Sequence, residues 1–471
     1  MGGVRTNFYY DIMSINPEVT GSGNLIIVRY PDGNKEKFIV DFGLFQEEEY
    51  AKYNEKLICE PNEIDFVLVT HNHVDHTGRL PYLVKNGFNG SIYLTDVTNV
   101  FIGGSLLDSC KVLRDLARRK NTNPLYSNED VAKTLQLIEP CSYNKTFNVT
   151  EHIKVTFLIN GHLFGAAMIL VTMSYEGCED INLLFTGDYN NKNMFFDVPE
   201  VPEKIRNLKV SIVIESTYGY MNSTDVYGDF KGNIVSAVSD GKTVIVPVFS
   251  LGRAQEILYE LRKLQEKGLV TQVPIYLDGK LAIKNTDLCR KREVNIAEDK
   301  KDFLPKNLTY VNDSSRDSIL RSKKCKIIIT TSGMGSYGPA QTYLPAYIGN
   351  EKALIHFTGY TAEGSLGAEL RNCNVGDIVE IGGVLIRKFA DVQYTSEYSA
   401  HAKADELIAL LNKFPNKQLV LVTHGQTETK KNFAKKVLLE TKTKSVGILG
   451  EEYIFRGNTY GLVKTMSTYF K

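Results

Sequence analysis

Three of the chain's eight histidines fall within six residues, in the run His71-Asn72-His73-Val74-Asp75-His76. Imidazole nitrogens and carboxylate oxygens are donors that zinc takes at about 2.0–2.2 Å, and a catalytic zinc keeps one position open for water. From one turn, the alternate residues His71 and His73 can reach a single ion, while Asp75 and His76, one step on, can face a second. A polar loop with accidental histidines is the plainer alternative, but four donor residues in six positions of a histidine-poor chain argue against it. Two ions need further donors, and three stand in similar surroundings: His162 in NGHLFGAAM, Asp188 in FTGDYN and His424 in LVTHG. A carboxylate such as Asp188 suits a bridge between two cations, because each oxygen can bind one. Taken singly, each of these is as readily structural. Their order after the first motif joins them.

The elements that must position these residues recur in one form. Short apolar or β-branched runs end abruptly in a histidine or an acid: residues 37–40 before Asp41, 66–70 before His71, 182–186 just before Asp188, 211–214 before Glu215 and 419–423 before His424. Runs of this length without helical period read as buried strands. A sheet whose strands end this way gathers polar groups on one rim, where ligand sites of α/β sheets lie. Helical spacing of apolar residues predicts helices over 77–85, 251–267 and 404–414.

The chain's 471 residues exceed one ordinary core, so two lobes or an inserted domain are expected. Lys+Arg and Asp+Glu both number 55, which excludes a global basic field but not a local positive cleft. No apolar run approaches the ~20 residues needed to span a bilayer, so no membrane role is expected. The first residues lack a signal-peptide core, although Gly2 and Thr6 match the loose start of a myristoylation motif. The seven cysteines (Cys59, Cys110, Cys141, Cys178, Cys289, Cys325 and Cys373) include no CxxC pair. They read as reduced thiols of a cytoplasmic protein and argue against a cysteine-type zinc site. Trp is absent, but 26 Tyr and 22 Phe leave aromatic surfaces for stacking.

The series Asp41, His71-x-His73-x-Asp75-His76, His162 and Asp188 resembles the successive signature motifs of the metallo-β-lactamase superfamily. The resemblance implies an αββα sandwich with two Zn²⁺ per chain at one edge of its paired sheets. It implies His71, His73 and His162 on the first zinc, Asp75 and His76 on the second, Asp188 bridging, and Asp41 orienting ligands by hydrogen bonding.

A small-substrate hydrolase of that superfamily should finish soon after FTGDYN, yet more than half of this chain remains. That remainder carries Glu215 in IVIESTYG, His401 in EYSAHAKADEL and His424 in LVLVTHGQTE, which resemble motifs A, B and C of the β-CASP nucleases. This group includes the eukaryotic pre-mRNA 3′-end endonuclease and bacterial and archaeal ribonucleases. VPVFSLGRAQEIL (246–258), ITTSGMGSYGPA (329–340) and FTGYTAEGSLGAEL (357–370) match as well. The implied layout is a metallo-β-lactamase domain over 1–208 and 389–471, with an inserted α/β β-CASP domain over 209–388. That domain would close over the metals and leave a cleft for single-stranded RNA, and His424 would return to complete the second zinc. The implied chemistry is attack by a bridging hydroxide on a phosphodiester. His401 would act as general acid with Glu215 holding its other ring nitrogen, leaving 5′-phosphate and 3′-hydroxyl ends. Asp41, Asp75, Glu215 and His401 are the catalytic candidates. Within the family a histidine at motif B resembles the RNA-acting members, whereas the DNA-repair members carry an aliphatic residue.

Weaker candidates remain. Arg253, after a Gly at a strand-to-helix turn, is placed either on an RNA phosphate or on the surface without a role. Ser332 and Gly333, in Ser332-Gly333-Met334-Gly335, form either an amide nest for phosphate or a plain turn. His152 and His356 match no motif and read as structural. Gln46 can reach the metal shell, but Glu47 follows where the family often has Gly. The family's usual Asp-Ser-Pro turn is here Asp278-Gly279-Lys280, which alters one wall of the implied RNA path. Two other function classes compete: a metallo-hydrolase of a small thioester, lactone or cyclic nucleotide, and a scaffold without activity. The Glu215 and His401 pair argues against the first, and the complete ligand set against the second. No appended RNA-binding domain is evident, so a homodimer or a processing complex is left open for substrate selection.

Overall fold

The computed structural model describes residues 8–466 apart from 271–272, 292–293, 295, 360, 362–363, 451–452 and 459–460. Gly2 and Thr6, and part of the 357–370 motif, lie outside the described residues. The chain forms two compact units. The first holds residues 1–193, 197–223 and 400–471, and the second holds 194–196 and 224–399.

Two sheets make up the first unit. One has eight strands and includes Asn24–Arg29, Lys35–Val40, Phe66–Leu68 and Ser91–Thr95 as successive neighbours. The other has seven and includes, in order, Lys417–Val422, Val210–Ile214, Ile181–Phe185, Ala167–Met173 and Ile153–Ile159. Side chains alternate across a strand, and here the alternation sorts three cores. Val40, Phe66 and Leu68 of one sheet meet Phe157, Ile169, Leu183 and Phe185 of the other in the middle layer. Ile39, Val67 and Ile92 point the other way, onto Ile102 and Leu106 of the helix Asp96–Lys120. On the far side Leu184, Ile212, Ile214 and Val422 pack on Leu407 and Leu411 of Ala404–Asn412 and Phe433 and Val437 of Thr427–Glu440. This is the expected αββα sandwich.

Register brings the polar strand ends together. Lys35–Val40 runs parallel to Phe66–Leu68 with Val40 opposite Leu68, so Asp41 and His71 leave the sheet side by side. Ile181–Phe185, Val210–Ile214 and Lys417–Val422 are also parallel, with Phe185 opposite Val213 and Ile214 opposite Val422. Asp188, Glu215 and His424 therefore emerge on one rim. This pairing also keeps Val210–Ile214 inside the first unit. The unit boundaries thus fall later in the chain than the expected domain limits at 208/209 and 388/389.

The second unit holds a six-stranded sheet, in the order Leu308–Tyr310, Ile275–Asp278, Ile327–Thr330, Thr243–Pro247, Ala353–Phe357 and Asp391–Tyr394. Every pairing in it is parallel. Its central strands Thr243–Pro247 and Ala353–Phe357 are buried along their whole length, as parallel strands covered on both faces are. The helix expected over 251–267 spans Arg253–Glu266, entered through Gly252 at φ +81°. The helix expected over 77–85 is instead two, Val74–Thr77 and Leu80–Lys85. Between them the Arg79 amide is spent on the Phe42 carbonyl, and Pro81 has no amide to continue an earlier turn.

Candidate metal centre

The metal-donor residues of the first unit converge into two groups that share one carboxylate: His71, His73, His162 and Asp188, and Asp75, His76, Asp188 and His424. In the first, His73 Nδ1 stands 3.1 Å from both His71 Nε2 and His162 Nε2. Asp188 Oδ2 is 3.5 Å from His71 Nε2 and 3.6 Å from His162 Nε2. In the second, His76 Nε2 and His424 Nε2 are 3.2 Å apart, and each lies 3.3 Å from Asp188 Oδ1. Asp75 Oδ2 lies 3.8 Å from His76 Nε2 and 3.6 Å from His424 Nε2. Donors placed around a tetrahedral zinc at 2.0–2.2 Å stand about 3.3–3.6 Å apart, so both groups have nearly the spacing one ion requires. The two oxygens of Asp188 divide between the groups, as a bridging carboxylate's would. Asp188 Oδ1 is buried without a hydrogen-bond partner, an orphaned acceptor that a cation would satisfy.

Each imidazole is turned by what holds its other nitrogen. Asp41 accepts from His76 Nδ1 at 2.8 Å and also from the Thr70 amide and hydroxyl, both at 2.7 Å. With its proton on Asp41, the Thr70 oxygen accepts from His71 Nδ1 at 3.0 Å. His162 Nδ1 donates to the Ala400 carbonyl at 2.9 Å, and His424 Nδ1 pairs with Thr217 Oγ1 at 2.9 Å. Such partners fix the tautomer and aim the remaining lone pair. Asn160 joins two ligand loops. Its oxygen accepts from the His162 amide at 2.9 Å, and its amide donates to the Asp188 carbonyl at 2.5 Å.

The electrostatics suit cations. Burial pushes His71 and His162 well below the ordinary imidazole range and His73 down to about 4, so these three are neutral donors near pH 7. Burial also acts against ionised Asp75, but His76 and the His424 hydrogen bond bring it down to about 2. At His76 burial is outweighed by Asp188, Asp41 and Asp75, which raise it well above its usual value. Three carboxylates around one ring call for positive charge there, from a proton or from a metal ion.

A third group, Asp188, Glu215 and His401, adjoins these. His401 Nδ1 faces Glu215 Oε2 at 2.9 Å and Oε1 at 3.1 Å, while its Nε2 lies 4.0 Å from Asp188 Oδ2. The Glu215 carboxylate also accepts from the amides of Tyr189 and Thr217. Burial disfavours the imidazolium, but Glu215 and Asp188 outweigh it and raise His401 to about 9.

The first unit thus brings together Asp41, His71, His73, Asp75, His76, His162, Asp188, Glu215, His401 and His424. Arg253, Ser332 and Gly333 belong to the second unit. Arg253 is buried, with Nη1 on Glu256 at 2.7 Å, and the Ser332 amide donates to the Tyr337 carbonyl at 3.0 Å. The Gln46 backbone N–H donates to Thr20 Oγ1 at 2.8 Å, and that hydroxyl donates to Glu47. Sequence reasoning missed Thr70, Asn160, Thr217 and the Ala400 carbonyl as partners. Thr70 and Asn160 stand one and two residues before a ligand, which is the only local signal they carry.

Family models match residues 19–108 (metallo-beta-lactamase superfamily), 254–370 (Beta-Casp domain) and 386–446 (Zn-dependent metallo-hydrolase RNA specificity domain). A ribonuclease of Thermus thermophilus is 28% identical over 446 residues, 92% of this chain and 97% of its own length. Transcription termination factor FttA of Methanosarcina mazei is 29% identical over 408 residues, 81% of this chain but 62% of the factor. An endoribonuclease of Schizosaccharomyces pombe is 29% identical over 377 residues, 77% of this chain and 47% of the enzyme. The chain therefore spans less than two thirds of the length of these last two relatives.

Proposed function

The chain is built as a β-CASP member of the metallo-β-lactamase superfamily, and on that premise we propose that it is a zinc-dependent ribonuclease hydrolysing phosphodiester bonds of single-stranded RNA. His71, His73 and His162 would hold one ion, Asp75, His76 and His424 the other, and Asp188 both. When bound, such a pair supplies a nucleophile at neutral pH and stabilises charge on the phosphoryl oxygens.

The chain's own residues supply the rest. Asp41 fixes His76 through Nδ1, so His76 presents Nε2 toward Asp188 and His424. Glu215 holds His401 by Nδ1 and keeps it protonated near neutral pH, with Nε2 directed toward Asp188. In this reading His401 Nε2 passes its proton to the departing 3′-oxygen of RNA, leaving 3′-hydroxyl and 5′-phosphate ends. The Glu215–His401 arrangement is the observation that carries the proposal, because an RNA alkoxide is a poor leaving group and needs that proton. A thioester or an activated lactone does not, and for that reason we place small-ester hydrolysis second.

The test is cleavage of labelled single-stranded RNA by purified protein carrying two zinc ions per chain. We expect cleavage that EDTA abolishes and zinc restores, with 5′-phosphate products. Fewer than two ions bound per chain, or cleavage indifferent to EDTA, would contradict the reading.

A further inference from the structure

Arg79 is fully buried, among the largest side chains with almost no exposure, yet among the described residues no carboxylate pairs with it. Its partners are carbonyl oxygens. Nε donates to Gly43 at 2.5 Å, and Nη1 to Tyr53 at 3.0 Å and Lys56 at 3.2 Å. The guanidinium lies 4.2 Å from the Phe42 ring centroid and 4.8 Å from that of Phe45. Its Nη2 is buried with no hydrogen-bond partner. A buried cation held only by carbonyls and ring faces is costly, and an apolar residue would fill the space without that cost.

What the guanidinium grips is the segment that seats the Asp75–His76 turn. The Phe42 amide donates to the His76 carbonyl at 2.7 Å, and the Leu44 amide to Val74 at 2.9 Å. The Gly43 amide donates to Ser22 at 2.8 Å, and the Ser22 amide donates to the Asp75 carbonyl at 2.8 Å. Gly43 presses so closely that an added Cβ would lie 1.6 Å from the Asp75 oxygen. Through Nη1 the same guanidinium ties this segment to the end of the 3-10 helix Glu48–Glu55, at Tyr53 and Lys56, which Asn54 closes onto Phe45 at 2.9 and 3.0 Å. His71 and His162 are fixed by other groups, Thr70 and Ala400.

We infer that Arg79 is a positioning residue for the Asp75–His76–His424 cation, acting through Gly43 and leaving the His71–His73–His162 cation largely untouched. The inference rests on the two-ion reading above. A planar fork that reaches Gly43 and the Tyr53–Lys56 carbonyls at once is something arginine offers and lysine does not.

The experiment is a zinc titration against a chromophoric chelator with wild type, Arg79→Met and Arg79→Lys, with folding checked by near-UV circular dichroism. Cobalt(II) spectra report the same two sites without any activity assay. The wild type should bind two ions. Arg79→Met should keep one at wild-type affinity and weaken the other by about 10–100-fold, the range seen when an outer partner of a ligand is lost. Arg79→Lys should weaken that same ion to an intermediate degree. Two ions at wild-type affinity in a folded Arg79→Met, or equal weakening of both, overturns the inference while leaving the two-ion reading intact. If Arg79→Met does not fold, unchanged affinities in Arg79→Lys overturn it. A wild type that binds fewer than two ions overturns both.

Discussion

At the scale of the residue, Asp188 carries the most. It is buried, each of its oxygens faces a different group of nitrogens, and its Oδ1 has no hydrogen-bond partner among the described residues. Asp188→Asn replaces one bridging oxygen by an amide that cannot bind a cation. The expected outcome is loss of at least one of two zinc ions, and a fall in RNA cleavage beyond the 10–100-fold typical of an outer partner. Metal analysis of the folded variant that still finds two ions would remove the bridge from the account. The donors themselves were legible in the sequence, because zinc ligands are few in kind and here sit at the ends of apolar runs. Their orienting partners were not. Thr217 reaches His424 and Ala400 reaches His162 across more than 200 residues of chain, a choice made by tertiary packing alone.

At the scale of the element, strands were readable and some helices were not. The runs before Asp41, Asp188, Glu215 and His424 are short and β-rich, and all four are strands. The helix Asp96–Lys120 was not anticipated. Two central glycines, Gly103 and Gly104, and its polar first turn dilute helix propensity, while Thr95 accepting from the Thr98 amide starts it and burial of Ile102 and Leu106 holds it. His356, read as structural, shows how an element constrains a titratable group. It is buried in the strand Ala353–Phe357, with Nδ1 3.2 Å from the Phe357 carbonyl and Nε2 3.2 Å from Asn233 Nδ2. Nδ1 donates and Nε2 accepts, so the neutral ring is satisfied on both sides, and burial pushes its pKa down to about 4. The unfolded chain, with a histidine near 6.5, then binds more protons than the folded one between these values. Stability from this group is present above about pH 6.5 and is lost as pH falls toward 4. Between pH 7 and 5 the wild type should lose about 2 kcal/mol more than His356→Leu in urea unfolding, although the variant starts lower. Parallel losses would contradict this.

At the scale of the whole molecule, the metal donors and the Glu215–His401 pair lie in one compact unit, although they span residues 71 to 424. The insertion of a second unit with its own parallel sheet explains that spread, since it separates Glu215 from His401 in sequence and not in space. Among the described residues no helix is long and apolar enough to cross a membrane. The proposed choice of RNA over a small ester rests on the Glu215–His401 pair, with His401 Nδ1 2.9 Å from Glu215 Oε2. The most direct test of that choice compares two substrates in wild type and His401→Ala, both loaded with zinc. One is single-stranded RNA, and the other is a phosphodiester with a nitrophenol leaving group that departs without a proton. His401→Ala should lose roughly 10²–10⁴ in cleavage rate on RNA and less than about 10-fold on the activated ester. An undiminished rate on RNA, or equal losses on both substrates, would contradict this.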